Sequence, residues 1–269
     1  MKSLLKHALP ERTRRWLRQA LRWRWFHGDY ATWAEARAVS AGYDDGAVLA
    51  RVLHATREVR AGRALWDRDG VTFQEPEFNV PLLAVLRAIA AGEGQRLELV
   101  DFGGALGGTW WQHRAALADL AGVRWRVVEQ PHFVTAAQEF ANPVLSFHES
   151  LAAAGQDGPA TAILFSSVLP YVEFPHALLA EADRRGFRHI LIDRTPLAVD
   201  GRERLVVQRT PPELGGGSYP SWFFRRETLL AALERNYVLR TEWPGFDQVD
   251  PSVEYRGFHF ARIDSASPA

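Results

Sequence analysis

Apolar and polar positions follow two different rhythms along the chain. At about 100° per residue, Leu9, Trp16, Leu17, Ala20 and Trp23 fall on one face of a helix opened by Pro10, with Arg14, Arg15, Arg18 and Arg22 on the other. Helical spacing returns in Thr32–Val39 and Gly46–Val59, separated by Gly42 and the Asp44–Asp45 pair, while Gly62 and Asp67–Gly70 read as loops. From residue 91 the chain alternates short β-rich runs with helical ones. Strands are expected at Leu97–Phe102, Arg124–Val128, Val144–Phe147, Thr161–Ser166 and His189–Asp193, and helices at Thr109–Leu120, Phe133–Phe140 and Phe174–Arg185. This alternation predicts parallel strands joined by crossover helices. A last helix, Glu227–Arg235, precedes expected strands at Tyr237–Glu242 and Tyr255–Arg262, whose connection is too short for a crossover and therefore pairs them antiparallel.

The chain thus divides into a basic amphipathic helix (1–27), an aromatic-rich helical extension (28–90) and an α/β domain (91–269). The domain is expected to be Rossmann-like, with a mostly parallel seven-stranded sheet and an antiparallel C-terminal strand, the arrangement of class I methyltransferases. At 269 residues, 47% hydrophobic and 24% charged, the chain has the composition of an ordinary globular protein. Equal numbers of basic and acidic residues, 32 each, argue against a nucleic-acid binder that relies on bulk positive charge. The absence of cysteine excludes disulfides, cysteine nucleophiles and thiolate metal sites, and no metal is expected. Neutrality hides one asymmetry: residues 1–26 carry eight Lys and Arg against the single acid Glu11. A Trp-bearing, arginine-backed helix either lies on an anionic membrane surface or docks on its own domain with a solvated basic face. The protein is expected to be cytoplasmic, and the first reading places it at the inner membrane surface.

The chemistry-bearing segment is Asp101-Phe102-Gly103-Gly104-Ala105-Leu106-Gly107-Gly108, read as strand end, acidic residue and glycine-rich turn into a helix. A carboxylate at the strand end repels a pyrophosphate, and the glycine spacing fits neither G-x-G-x-x-G nor a P-loop. A ligand with an ammonium group suits the turn better, and S-adenosylmethionine, with its product S-adenosylhomocysteine, is such a ligand. Asp101 would face the ammonium, and Gly103, Gly104 and Gly107 would let the backbone approach the cofactor. Glu129 ends the second strand, where a carboxylate accepts from both ribose hydroxyls, with Gln130 beside it. Phe147 and His148, ending the third strand, either meet an adenine ring or are a core phenylalanine and a surface histidine. At the fourth strand end, Ser166 and Ser167 are candidates for the methionine end of the cofactor and Tyr171 for the acceptor, unless Tyr171 packs on the next helix.

Asp101–Gly108, Val128–Gln130, Ser166–Tyr171, Ile192–Pro196 and Ser218–Trp222 resemble a family of bacterial S-adenosylmethionine-dependent methyltransferases, with an Asp-Phe-Gly-Gly-x-Leu-Gly motif, often associated with surface-polysaccharide genes. Gly28–Ala36 and Ser40–Asp44 are similar to that family too, so the resemblance runs from about Gly28 to the end. It implies S-adenosylmethionine dependence and leaves acceptor and base unassigned. An O-methyl transfer onto a saccharide or lipid-linked saccharide is the expected reaction, with a small-molecule or glycan acceptor. Asp193, Tyr171 and His113 are the candidate bases. Tyr30, Trp33, Tyr43, Arg194, Tyr219 and Trp222 are the candidate acceptor contacts, the last two on a flap that follows Gly215–Gly217. Asp193 with Arg194 is equally a salt-bridged strand end, and His113 equally a surface histidine. Two rival readings are a nicotinamide-dependent oxidoreductase, which Asp101 disfavours, and a catalytically silent membrane-tethered interaction module.

Overall fold

The computed structural model describes residues 25–42, 46–210, 217–245 and 250–263. Nearly all of the expected basic N-terminal helix, and Tyr43 among the candidate acceptor contacts, lie outside them. The chain begins with β1 (Phe26–Tyr30), α1 (Trp33–Ala38), α2 (Gly46–Arg60), β2 (Trp66–Arg68), β3 (Val71–Phe73) and α3 (Val80–Gly92). Then follow β4 (Arg96–Phe102), α4 (Gly108–His113), β5 (Gly122–Val128), α5 (Pro131–Ala137), β6 (Leu145–His148), α6 (Leu151–Gln156) and β7 (Ala162–Ser166). The remainder is α7 (Pro175–Arg185), β8 (His189–Ala198), β9 (Arg204–Arg209), β10 (Ser218–Phe223), α8 (Arg226–Ala231), β11 (Tyr237–Pro244) and β12 (Val253–Arg262).

Seven strands form one sheet in the order β11-β12-β8-β7-β4-β5-β6. The five strands β4 to β8 are parallel, and β12 runs antiparallel to both β8 and β11. This is the class I methyltransferase sheet that the strand rhythm predicts. Its inner strand β7 (Ala-Ile-Leu-Phe-Ser) is apolar almost throughout because both faces are covered. Along β7, Ala162 and Leu164 face one core with α3, α4 and α5, while Ile163 and Phe165 face the other with α6, α7 and α8. The strand order reverses between β4 and β7, opening a crevice at their carboxyl ends, where ligands of such sheets bind.

The early chain differs from expectation. The segment 28–90 is not purely helical. β1 pairs antiparallel with β9, which hairpins with β10, so the first described residues join a second sheet built from late sequence. β2 and β3 form a hairpin through Asp69-Gly70, both at positive φ, as a two-residue type I′ turn requires. Asp67 and Arg68 are therefore strand residues. The boundary placed at residue 90 falls inside α3, whose Leu82, Leu86 and Ile89 are part of the main core. β8 runs five residues past Asp193 to Ala198, and Thr109–Leu120 is a short helix followed by a 3-10 turn. Among the described residues no helix is long and apolar enough to cross a membrane.

One pair in the sheet makes stability pH-dependent. His189 Nδ1 and His259 Nε2 lie 3.0 Å apart between β8 and β12. Burial, then His189 and Arg240, push His259 down to about 4. Glu93, Arg188 and Arg240 are the charges around His189. The unfolded chain takes up a proton near pH 6.5 that the folded chain refuses until about 4, so this contribution is present above 6.5 and is lost as pH falls through that window. His259→Phe should remove about 2 kcal/mol of the stability lost between neutrality and about pH 4.5, read from urea midpoints. An unchanged pH slope would show that the pair titrates normally.

Candidate functional site

β4 delivers Asp101 to the crevice, and the chain turns immediately. Gly103, at φ 73°, donates its N–H to the Val128 carbonyl at 2.8 Å, tying the turn to the end of β5. A Cβ on Gly103 would fall inside Val168 of the loop after β7, and one on Gly104 would lie 2.7 Å from the Asp101 carboxylate. The glycines are therefore required by close packing over Asp101. Gly107, also left-handed, opens α4.

Asp101 is 1% exposed. Its Oδ2 accepts the Trp125 indole N–H at 2.9 Å, while Oδ1 is buried without a partner. Burial pushes the carboxyl up to about 7; the Trp125 bond opposes this, and the charge of Glu129 adds to it. Burial thus leaves the carboxyl able to accept or release a proton near neutral pH. Glu129 lies just past β5, where its Oε2 accepts the Gln130 N–H at 2.7 Å. Its pKa is raised by burial, against the N–H groups of Gln130 and Ala105, so its carboxyl faces the glycine turn. Gln130 is exposed at the start of α5.

Other candidates have different tasks. Phe147 is a core residue, and His148 leans on Ser146 Oγ at 2.9 Å and on Asp157, so neither is set out for an adenine ring. Ser166 directs its hydroxyl to Asp193 Oδ2 at 3.3 Å, and Ser167, at φ 56°, donates its N–H to the Asp193 carbonyl. The Ser166 hydroxyl and the Ser167 backbone N–H both brace β8. His113 is fully buried, with Nδ1 on the Thr109 carbonyl at 2.8 Å and Nε2 accepting the Asn79 N–H at 3.1 Å. With both ring nitrogens engaged and burial lowering its pKa, it is a neutral packing residue, neither a base nor a surface histidine.

Tyr171 donates to Gln208 of β9 at 2.9 Å, and its ring meets Tyr219 edge-on at 5.2 Å. Tyr219, whose hydroxyl lies 3.1 Å from Thr210 Oγ1, and Trp222 stand on β10, in register with β9. They belong to a strand rather than a mobile flap. Trp222 stacks on Trp33, and Tyr30 and Trp33 pack around Ala36, Leu205 and Val207. The aromatics read as acceptor contacts thus largely fasten the small sheet beside the end of β7. Tyr171, with its hydroxyl donated to Gln208, is not poised as a base.

The second polar centre is Asp193. Its Oδ2 accepts from Asn79 Nδ2 at 2.8 Å and from Ser166, and its Oδ1 from the Trp243 indole at 3.0 Å. Burial raises its pKa, and the Trp243 bond and the Arg194 charge pull it back. A carboxylate accepting three hydrogen bonds organises its surroundings more than it collects protons. Asn79 and Trp243, 114 and 50 positions from Asp193, are absent from the sequence-derived site; a polar helix cap and a strand tryptophan give no local sign of meeting it. A pocket opens here between β2, the start of α3, α4, the end of β7 and the middle of β8, with Arg68, Asn79, Ser166, Asp193 and Arg194 on its wall. Among the described residues no three His, Asp or Glu side chains converge to hold a metal.

No family model matches the chain, and no curated protein matches it. Among solved structures it is similar to the N-terminal domain of EvdMO1, crystallised in the presence of S-adenosylhomocysteine and D-fucose, at 16% identity over 81% of this chain and 100% of that one, with a TM-score of 0.49. Magnesium protoporphyrin IX methyltransferase (ChlM) of Synechocystis PCC 6803 with bound S-adenosylhomocysteine is 15% identical over 81% and 100% of the two chains, with a TM-score of 0.48. For the 1,6-didemethyltoxoflavin-N1-methyltransferase of Burkholderia thailandensis the values are 16%, 88%, 93% and 0.45.

Proposed function

We propose that this chain is an S-adenosylmethionine-dependent methyltransferase. The observation that carries the reading is the Asp101 carboxylate, buried at the crevice with Oδ1 unpartnered, beneath a turn whose Gly103 and Gly104 admit no Cβ. A group with an ammonium end satisfies that oxygen, and a phosphate repels it. Asp101 would hold the amino end of the cofactor, Glu129 its ribose hydroxyls, and the backbone of Gly103 and Gly104 its flank. When bound, the cofactor supplies a methyl group on a sulfonium. The protein's own part is to place an acceptor beside that crevice and exclude water, and positioning alone accounts for much of such a rate enhancement. Asn79 and Ser166 hold Asp193, which fixes the pocket wall on the acceptor side.

The polar pocket, and the resemblance to methyltransferases of surface-polysaccharide gene clusters, support O-methylation of a saccharide or lipid-linked saccharide. In this reading the protein works in the cytoplasm, where the basic, Trp-bearing sequence of residues 1–26 favours an anionic membrane surface. Calorimetry decides the cofactor. S-adenosylhomocysteine should bind and NAD should not, and Glu129→Ala should weaken S-adenosylhomocysteine by about 1–3 kcal/mol. Binding of NAD in its place would make the chain an oxidoreductase, and unchanged affinity in a folded Glu129→Ala would remove Glu129 from the site.

A further inference from the structure

Trp125 is fully buried on β5, level with Leu99 of β4 on one side and Leu145 of β6 on the other. Asp101 comes two residues after Leu99, so its side chain points to the same face of the sheet. Trp110 of α4 packs over that face, its ring centroid 5.9 Å from that of Trp125. The indole is thus held between neighbouring strands and a helix, inside the main core.

The indole N–H has one partner, Asp101 Oδ2 at 2.9 Å. Loss of that bond would leave a buried donor unsatisfied, which folded proteins rarely tolerate. The Gly104 backbone approaches the same carboxyl closely, since a Cβ there would lie 2.7 Å from Oδ2 and 3.1 Å from Oδ1. Between the indole and this turn the carboxyl has little room to rotate. Oδ2 stays on the indole, and Oδ1 is the oxygen left over. Among the described residues the indole is the single donor to this carboxyl, and Glu129 is the charge that acts on it.

We infer that Trp125 is a positioning residue of the cofactor site: its indole N–H fixes the Asp101 carboxylate with one oxygen engaged and reserves the other for the ammonium of the cofactor. The inference rests on the methyltransferase reading for the identity of the ligand. The bond has a chemical consequence as well as a geometric one. It favours the ionised carboxylate, whereas burial and Glu129 favour the protonated form. Only the ionised form offers an ammonium a full opposite charge. The indole would therefore set how much of the site is ready for the cofactor near neutral pH.

Trp125→Phe keeps an aromatic ring beside Trp110 and removes the donor. In the ligand-free, full-length protein, labelled with carbon-13 at its aspartate carboxyls, the Asp101 resonance is identified by its loss in Asp101→Asn. Its midpoint, about 7 in the parent, should rise by about one pH unit in Trp125→Phe. S-adenosylhomocysteine should then bind Trp125→Phe about fivefold more weakly than the parent at about pH 7, and less than about twofold more weakly at about pH 9, where both carboxyls are ionised. Added to Asp101→Asn, the same change should cost less than about twofold. A tryptophan that only fills the core would weaken binding equally at every pH and leave the carboxyl midpoint in place; either result overturns the inference. A second measurement needs no folded Trp125→Phe: one of the ten Trp indole N–H resonances of the parent should titrate with the Asp101 midpoint and stop doing so in Asp101→Asn. The absence of such a resonance also overturns the inference. A raised midpoint in Trp125→Phe, in a protein whose parent takes no S-adenosylhomocysteine, upholds the grip of Trp125 on the carboxyl and removes the methyltransferase reading.

Discussion

Asp101→Asn should give a protein more stable than its parent and much poorer at binding S-adenosylmethionine. The folded chain holds this carboxyl at about 7, well above the ordinary carboxylate range. Between about pH 4 and about pH 7 the folded state therefore keeps a proton that the unfolded state has released. Stability from this group falls as pH rises through that window, and at pH 8 the buried charge costs about 2–4 kcal/mol. Asparagine keeps a carbonyl for the Trp125 indole and carries no charge, so the urea midpoint at pH 8 should rise. Binding should move the other way. Losing a charged partner for the ammonium weakens S-adenosylmethionine by about 1.5–3 kcal/mol, while adenosine, which lacks that end, binds both proteins alike. The parent's affinity should also fall as pH drops below about 7, with a proton released on binding, whereas the Asn variant should be flat across the same range. A variant neither more stable nor weaker in binding would make Asp101 a turn residue with no cofactor role.

Asp193→Ala carries the other large effect, on stability. It removes the acceptor of Asn79, Ser166 and Trp243 in one step, and buried donors left unsatisfied cost about 1–3 kcal/mol each, less whatever they regain by relaxing. A net loss of about 3–5 kcal/mol is expected in chemical denaturation near pH 7.5. Damage should spread, because Asn79 also caps α3 through the Leu82 N–H and holds His113 through its own. Asp193→Asn, which retains one carbonyl, should fall between the two. A loss under about 1 kcal/mol for Asp193→Ala would mean that the three donors are satisfied elsewhere.

The sheet was legible because its strands are buried on both faces: Leu97–Phe102 and Thr161–Ser166 are apolar runs between polar or glycine-rich breaks, and such runs announce themselves locally. β9 was not read, although Leu205-Val206-Val207 is a β-type run, because its partner β1 lies at the other end of the sequence. The hairpin turn Asp69-Gly70 carried a usable signal, an Asp-Gly pair between Trp66 and Phe73, but its strands are only three residues long. At the site, Asp101, the glycines and Glu129 were legible because strand ends and tight turns restrict residue type. Hydrogen-bond partners were not. Whether His113 is a base or a packing residue depends on Asn79 and Thr109, and the role of Asp193 depends on Trp243, which Gly257 makes room for.

Pairing of β1 with β9 also sets an order of assembly on the ribosome. Tyr30 meets Leu205, roughly 175 positions later, so β1 leaves the exit tunnel long before its partner is made. At about 5–20 residues per second the wait is roughly 10–35 s, far longer than the microseconds in which a hairpin closes. During that interval β9 and β10 do not yet exist, and β1 has no strand to pair with. The sheet beside the crevice can therefore close only after the crevice strands β4 to β8 have been synthesised, and a pause in translation between residues 31 and 204 lengthens the exposure of that first strand directly.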